Sequence, residues 1–410
     1  MEQSPKKPFV KGYKYRIYPT DEQKHFLAKT FGACRFLYNK VLADTQREHQ
    51  AYVFAKENGT LTDTIKEPNL SSNALAYRVS THRNNPETAW LQETSSVALQ
   101  QALIHLGGAY ERYFKSLKSV RKGRFSKPTF KKKVERQSFN LMGNGFRLKD
   151  HQLYIAKLDT PLKVIWSREL PSYPTSLAIS KTPSGEYYIS FTCEYTPQKT
   201  AGETNVGIDL GIKTYATLST GDKLENPRWL QNHLKSLKRH QQSLSRKTKG
   251  SKNRTKSRIK VAKLHQKVTN ARHDWQHKAT RTLVNNSHVI GVEALAVANM
   301  IRNRKLSKAI QDAAWSSFFQ KLQYKVVESQ HATLIYMSTF YPSSHICSLT
   351  GKQLERKLLL DERTWDCPFC GNTHDRDLNA AANIENKAME LYATLPVSKS
   401  HHGEVAVVAG

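Results

Sequence analysis

Acid is what this sequence lacks most. Against 64 lysines and arginines it sets only 34 aspartates and glutamates, a net charge of +30 over 410 residues. A surplus of that size repels itself unless a polyanion is present, so nucleic acid is the expected partner. An anionic membrane surface is the alternative. It suits an evenly basic surface better than the clustered cations found here, which are interleaved with aromatic rings. Long apolar runs are missing too. None approaches the ~18 residues that would carry a helix through a bilayer. The opening MEQSPKKPF has no apolar core of the kind a secretory signal needs. The expected location is therefore cytoplasmic and nucleoid-associated, with no membrane partner. Cysteine is scarce: five, an odd number, which argues against a disulfide framework. Cys34 and Cys193 fall in apolar patterns and read as small buried side chains. The other three, Cys347, Cys367 and Cys370, cluster near the C-terminal end.

Such a length leaves room for several domains. Residues 9–18, FVKGYKYRIY, alternate between apolar and basic and predict a strand that Pro19 ends. Thr20-Asp21-Glu22-Gln23 reads as a capping box. An amphipathic helix follows, with Phe26, Leu27, Phe31, Cys34, Leu37, Tyr38, Val41 and Leu42 on its apolar face. Residues 52–92 are polar and broken by Gly59, Pro68 and Pro86, which predicts loops and short helices. Ser95–Leu117 is a second strong helix. The segment SVRKGRFSKPTFKKK sets Arg124, Lys131, Lys132 and Lys133 around Phe125 and Phe130. Cations there can hold a phosphate backbone while the rings stack on bases. As a plain loop it would simply be solvated. From Arg147 to Tyr195 the period falls to two, with a turn at Pro183-Ser184-Gly185, and predicts a small β-domain.

After a polar linker comes VGIDLGIKTYATLS, an apolar strand carrying one acid, Asp209. Arg228–Arg272 then holds fifteen basic residues and no acid. It splits at Lys249-Gly250-Ser251 into two helical halves, and Arg246, Lys247, Lys249, Lys252 and Arg254 sit at the split. HVIGVEALAV is a second apolar strand with one acid, Glu293. Asp377 opens a terminal Ala-rich helix, where the helix dipole favours its ionised form. One such acid alone is most simply a hydrogen-bonded strand-end residue. Three converging acids would repel, and would call for a divalent cation with hard oxygen ligands, Mg²⁺ or Mn²⁺. A pair of such ions about 4 Å apart suits phosphodiester hydrolysis.

IDLGIKTYATLS, IGVEAL and HDRDLNAAANI resemble the three RuvC motifs of the TnpB family. These are transposon-encoded nucleases similar to the type V CRISPR effectors. KYRIYPTDEQKHFLAKTFGACRFLYNKVL, GRFSKPTFKKK, SRKTKGSKNRTK, YPSSHIC and DCPFCG match in the same order, so that only the terminal tails fall outside. The resemblance implies a multidomain α/β architecture. An RNase H-like RuvC nuclease core would span 203–342 and 373–395, with a zinc-ribbon-like insertion at 343–372. An N-terminal wedge β-barrel would span 1–19 and 119–200, and a helical recognition domain 20–118. The tail, 396–410, would be disordered. It further implies that Asp209, Glu293 and Asp377 are the catalytic metal ligands, Asp209 bridging both ions. The family pattern D-x-N-A-A selects Asp377 over Asp375, which is left a capping role. The implied activity is cleavage of DNA next to a short target-adjacent motif, directed by a guide RNA from the transposon end. A monomer is the expected state.

The ribbon departs from the pattern. Cys367-Pro-Phe-Cys370-Gly371 is a zinc knuckle, but in Cys347-Ser-Leu-Thr350-Gly351 a threonine replaces the second cysteine. Three arrangements stay open: structural Zn²⁺ held by three thiolates with His345, His374 or water; a ribbon folded without metal; or weak binding. Two rival functions also stay open, a nuclease-impaired guide-dependent repressor and an unguided DNA-binding accessory of transposition.

Overall fold

The structure, a computed structural model, describes residues 8–118, 125–133, 136–197, 202–356, 358–359, 362–395 and 405–407. The chain divides into two units, Met1–Thr196 and Pro197–Gly410.

In the first unit, strand β1 (Phe9–Ile17) leads into helix α1 (Asp21–Glu57) through the expected capping box. The Thr20 hydroxyl accepts from the Gln23 amide at 3.3 Å, and the Gln23 side chain accepts from the Thr20 amide at 3.0 Å. The helix outruns the apolar stripe that announces it and ends at Glu57. Helices α2 (Ser72–Asn84) and α3 (Ser96–Lys118) follow. The chain then forms strands β2 (Gln137–Met142), β3 (Phe146–Lys149), β4 (Gln152–Ile155), β5 (Val164–Ile165), β6 (Ser176–Lys181) and β7 (Tyr187–Tyr195). A five-stranded sheet runs β2-β6-β7-β1-β5, and β3 pairs with β4. Strand β7 lies antiparallel along all of β1, from Phe9↔Tyr195 to Ile17↔Tyr187. At the β6–β7 turn Gly185 takes φ +86°, where glycine carries no Cβ penalty. Helices and sheet share one core: Leu27, Phe31, Leu37 and Leu99 pack in the same cluster as Phe139, Leu141, Ile179 and Phe191. Full burial of each such side chain contributes about 1.5–3 kcal/mol. Cys34 and Cys193 are both buried, as their apolar settings suggest.

The second unit opens with β8 (Thr204–Leu210), β9 (Thr214–Leu218) and β10 (Lys223–Glu225). A helical hairpin follows, α4 (Leu234–Ser245) and α5 (Lys252–Asn286), then β11 (Ser287–Glu293). Helices α6 (Val297–Met300), α7 (Ser307–Ala313) and α8 (Trp315–Ser329) lead to β12 (Thr333–Met337). The ribbon contributes β13 (Thr364–Asp366) and β14 (Thr373–Asp375), followed by α9 (Arg376–Ala393) and β15 (Val405–Val407). The sheet order is β10-β9-β8-β11-β12-β15. Strands β8, β11, β12 and β15 are parallel, and β9 and β10 pair antiparallel. Three residues of the expected tail thus form an edge strand, and the rest of that tail lies outside the described residues. One sheet face packs Val206, Ile208, Ile290, Val292 and Leu334 against Trp315, Phe318 and Leu322 of α8. The other packs Val289, Ile335 and Met337 against Ile384 and Ala388 of α9. Among the described residues, no helix is long and apolar enough to cross a membrane.

Candidate active site and metal centre

Strands β8 and β11 carry the same local pattern, glycine, one apolar residue, acid: Gly207-Ile208-Asp209 and Gly291-Val292-Glu293. They are neighbours in register, Gly207 opposite Gly291 and Ile208 opposite Val292. Side chains alternate between the faces of a strand, so each glycine shares its face with the acid two residues on. Helix α9 lies on that face. A Cβ on Gly207 would overlap the Ala381 carbonyl oxygen and the Glu385 amide nitrogen. One on Gly291 would sit 2.7 Å from the Ala388 Cβ and 2.9 Å from the Ile384 carbonyl oxygen. The paired glycines therefore let the helix backbone rest on the sheet. Asp377, Ala381, Ile384 and Ala388 follow helical spacing along the apposed stripe, and the last three are buried. The first turn of α9 thus faces the carboxyl ends of β8 and β11. In open α/β sheets, that end is where sites form.

The three acids act on one another electrostatically. Burial, then the Glu293 and Asp377 carboxylates, push Asp209 up to about 7, against the pull of Arg376 and Arg363. Glu293 is also raised, by burial, while a 2.5 Å hydrogen bond from the Ser343 hydroxyl opposes the shift. Asp377 meets the Arg363 guanidinium at 3.3 Å. Asp375 takes a different role. It is the N-cap of α9, its carboxylate accepting from the Asp377 and Leu378 amides at 3.0 Å each, and it pairs with Lys223 at 3.0 Å.

In the ribbon, both knuckles have the same backbone. The Gly351 amide donates to the Cys347 carbonyl (2.8 Å) and the Cys347 amide to the Lys352 carbonyl (2.9 Å). Gly371 and Cys367 make the equivalent bonds at 2.9 and 3.0 Å. The turn glycines take φ +68° and +75°. Thr350 thus occupies the place that Cys370 fills in the second knuckle. The missing donor comes from His374 on β14. Ligand atoms of Cys347, Cys367, Cys370 and His374 all lie within 4.8 Å of one another. His345 is not among them; its Nδ1 faces the Leu358 amide at 3.5 Å. Tetrahedral zinc with ordinary bond lengths would set S···S edges near ~3.8 Å and S···N edges near ~3.6 Å. The observed Cys347–Cys370 separation is 3.6 Å, and His374 Nε2 lies 3.5 and 3.4 Å from those two sulfurs. The donor set fits a zinc ion. Burial would raise the Cys347 thiol, but the Thr350 hydroxyl and the Thr350 and Leu349 amides outweigh it and hold it at about 6.

Three asparagines of α9 tie the first knuckle down. Asn379 Nδ2 donates to the Ile346 carbonyl (2.7 Å) and its Oδ1 accepts from the Ser348 amide (2.9 Å). Asn383 donates to the Ser343 and Ile346 carbonyls at 2.8 and 2.6 Å, and Asn386 to the Ser348 carbonyl at 3.1 Å. Sequence reasoning missed this grip, although asparagines at 379, 383 and 386 share helical spacing. It also missed the paired Gly-x-acid pattern, legible as GID and GVE.

The basic positions separate into two kinds. Arg246, Lys247, Lys249 and Lys252 are exposed around the α4–α5 turn. Arg254 instead holds that turn, donating to the Leu244 and Lys247 carbonyls at 3.0 and 3.1 Å. In the first unit Lys131, Lys132 and Lys133 are exposed, with Phe125 and Phe130 also open to solvent. The Lys131 ammonium lies 3.8 Å from the Tyr38 ring centre. Lys131, Lys132 and Arg136 edge a cavity of about 330 Å³ floored by Phe31, Cys34 and Phe139. Arg124 lies outside the described residues.

An acid cluster at the carboxyl ends of parallel strands, beside a Cys₃His ribbon, defines an α/β protein of nuclease-like design, and sequence relatives make this specific. Residues 188–304 match the family described as "Probable transposase", and residues 315–384 match the "Cas12f1-like, TNB domain". Residues 10–52 match a "Helix-turn-helix domain", though here they form β1 and a single unbroken helix. A protein of Streptomyces pristinaespiralis named "Putative RNA-guided DNA endonuclease" is 37% identical over 91% of this chain and 88% of its own. InsQ of Escherichia coli K12, which bears the same description, is 27% identical over 92% and 91%. The TnpB-like protein L79 of Acanthamoeba polyphaga mimivirus is 23% identical over 92% and 73%. A solved Cas12f1–sgRNA–target DNA complex superposes at TM-score 0.49 with 11% identity, over 92% of this chain and 99% of that one. The chain belongs to the TnpB family.

Proposed function

We propose that the chain is the RNA-guided DNA endonuclease of a transposon, cutting at Asp209, Glu293 and Asp377 on an RNase H-like core. The observation that carries the reading is a largely buried Asp209 set against two further carboxylates: burial first, then Glu293 and Asp377, push its carboxyl up to about 7. A protein that buries like charges together loses stability by it, and a cation site is the usual compensation. The three acids would hold Mg²⁺ or Mn²⁺, which when bound supplies an activated water and a counter-charge for the leaving oxygen. Ser343 holds the Glu293 carboxylate in place, Asp375 caps the helix that presents Asp377, and Lys223 braces that cap. Cys347, Cys367, Cys370 and His374 would hold a structural Zn²⁺.

The first unit supplies the wedge barrel and recognition helices, which grip a guide–target heteroduplex and a target-adjacent motif. Exposed Phe125 and Phe130 beside Lys131–Lys133 suit stacking and phosphate binding. The four exposed cations of the α4–α5 turn give the second unit its own polyanion surface. All three acids come from one chain, so a monomer acting on nucleoid DNA in the cytoplasm suffices. The test is to sequence the RNA that co-purifies with the chain and assay cleavage of matching DNA. Asp209→Ala should retain RNA and guided DNA binding and abolish cutting. Guided binding without cutting by the wild-type chain, or continued cutting by the variant, would overturn the proposal.

A further inference from the structure

The fourth ligand of the ribbon lies in an unusual place. Cys347, Cys367 and Cys370 come from knuckle turns, but His374 sits on β14, one residue before the cap Asp375 and three before Asp377. Its ring is set by β13: His374 pairs across the strands with buried Trp365, ring centres 4.8 Å apart. The segment that joins the ribbon to the acid is short and is held at several points. Thr364 pairs with Asp375, the Arg376 amide donates to the Arg363 carbonyl at 2.8 Å, and the Arg363 side chain meets Asp377.

With Cys370 in place, a cysteine at position 350 would close the metal site within the two knuckles and leave β14 outside it. Thr350 removes that option while keeping the knuckle backbone. The donor that replaces it lies on the strand feeding the catalytic helix. We infer that His374 is a positioning residue: by ligating the ribbon zinc it anchors β14, and with it the Asp375 cap and Asp377, to the first knuckle. That knuckle is itself gripped by Asn379, Asn383 and Asn386 of α9. Metal, strand and helix thereby close a loop around the third acid. Zinc loading becomes a condition for Asp377 to stand at the carboxyl ends of β8 and β11. A ribbon whose four ligands lay in its knuckles would fold around its metal without touching this segment.

This inference rests on the proposed zinc and acid sites, and its test is chosen to be read separately from nuclease activity. Full-length wild type, His374→Ala, His374→Cys and Thr350→Cys/His374→Ala would be purified with zinc and challenged with a chelator. Zinc per chain, the Co²⁺ absorption spectrum, peptide hydrogen exchange over 373–378 and guided cleavage would then be measured. The wild type should hold one zinc, with a cobalt spectrum of three sulfurs and one nitrogen. His374→Ala should bind zinc at least tenfold more weakly and exchange faster at 373–378. His374→Cys should regain both zinc and slow exchange, with a four-sulfur spectrum, which also shows that replacing the histidine does not unfold the chain. The double variant is decisive: it should regain zinc through the first knuckle yet keep fast exchange at 373–378 and low cleavage. Undiminished zinc affinity in His374→Ala, or slow exchange restored in the double variant, would overturn the inference. Zinc content and exchange are informative even if no variant, nor the wild type, cuts DNA, so failure of the nuclease reading is distinguishable.

Discussion

Replacing Asp209 with asparagine should make the Mg²⁺-free protein more stable while destroying the activity proposed for it. The carboxyl has an ordinary value of 3.8 and stands at about 7 in the fold. Between those values the folded chain keeps a proton that the unfolded chain releases. Stability therefore falls as pH rises through about 4 to 7 and is level above that window. The full shift corresponds to about 4 kcal/mol. Asp209 still reaches solvent in part, so half of that, ~2 kcal/mol, is the better figure. For a unit of this size ~2 kcal/mol moves the melting midpoint by roughly 4–8 °C. The assay is thermal melting of the zinc-loaded protein in Mg²⁺-free buffer across pH 4–8. Asp209→Asn should melt above wild type at pH 8, and the gap should close as pH approaches 4. Adding Mg²⁺ should raise the wild type, in proportion to the logarithm of its concentration, and leave the variant unmoved. A variant that melts below wild type at pH 8 without Mg²⁺ would refute the reasoning, since it would mean that the Asp209 charge stabilises the Mg²⁺-free protein.

Three further outcomes follow from the geometry. Gly207→Ala drives a Cβ into the α9 backbone at Ala381 and should cost about 1–3 kcal/mol as measured by denaturant unfolding, with a drop in cleavage beyond the drop in folded protein because α9 carries Asp377. Replacing Arg246, Lys247, Lys249 and Lys252 with glutamine should leave melting unchanged, since all four are exposed. It should also flatten the salt dependence of duplex binding by up to ~0.9 for each phosphate that is no longer neutralised, whereas Arg254→Gln should loosen the α4–α5 turn and lower the melting midpoint.

What is legible in the sequence follows from local physics. The capping box, the turn at Gly185 and the split at Gly250 are readable because each is settled within a few residues. The apolar strands β8 and β11 are readable because burial on both faces leaves a continuous hydrophobic run. Strand β2 escapes notice: only Phe139 and Leu141 face the core from QSFNLM, too short an alternation to stand out beside a basic run. The three acids can be named from motifs, but their meeting depends on α9 docking over two glycines from strands more than 80 residues apart. The zinc ligand set stays open between His345 and His374 because both lie near the cysteines in sequence. Only the pairing of β13 with β14 aims one of them inward. Arg254 looks like one more surface cation, since nothing in a basic run reveals which side chain turns back onto carbonyls.

The joint core of the first unit bears on how such proteins can be remade. Phe31 of α1 packs on Phe139 of β2, ring centres 5.3 Å apart, and Leu99 of α3 belongs to the same cluster as Ile179 and Phe191 of the sheet. The helices between β1 and β2 therefore share their interior with the sheet. They are not a cassette. Swapping them for those of a relative, or trimming them to shrink the protein, opens the hydrophobic side of the sheet to water. A chimera designer would have to carry Phe139, Leu141, Ile179 and Phe191 along with the helices, exchanging the whole interlocked block or none of it.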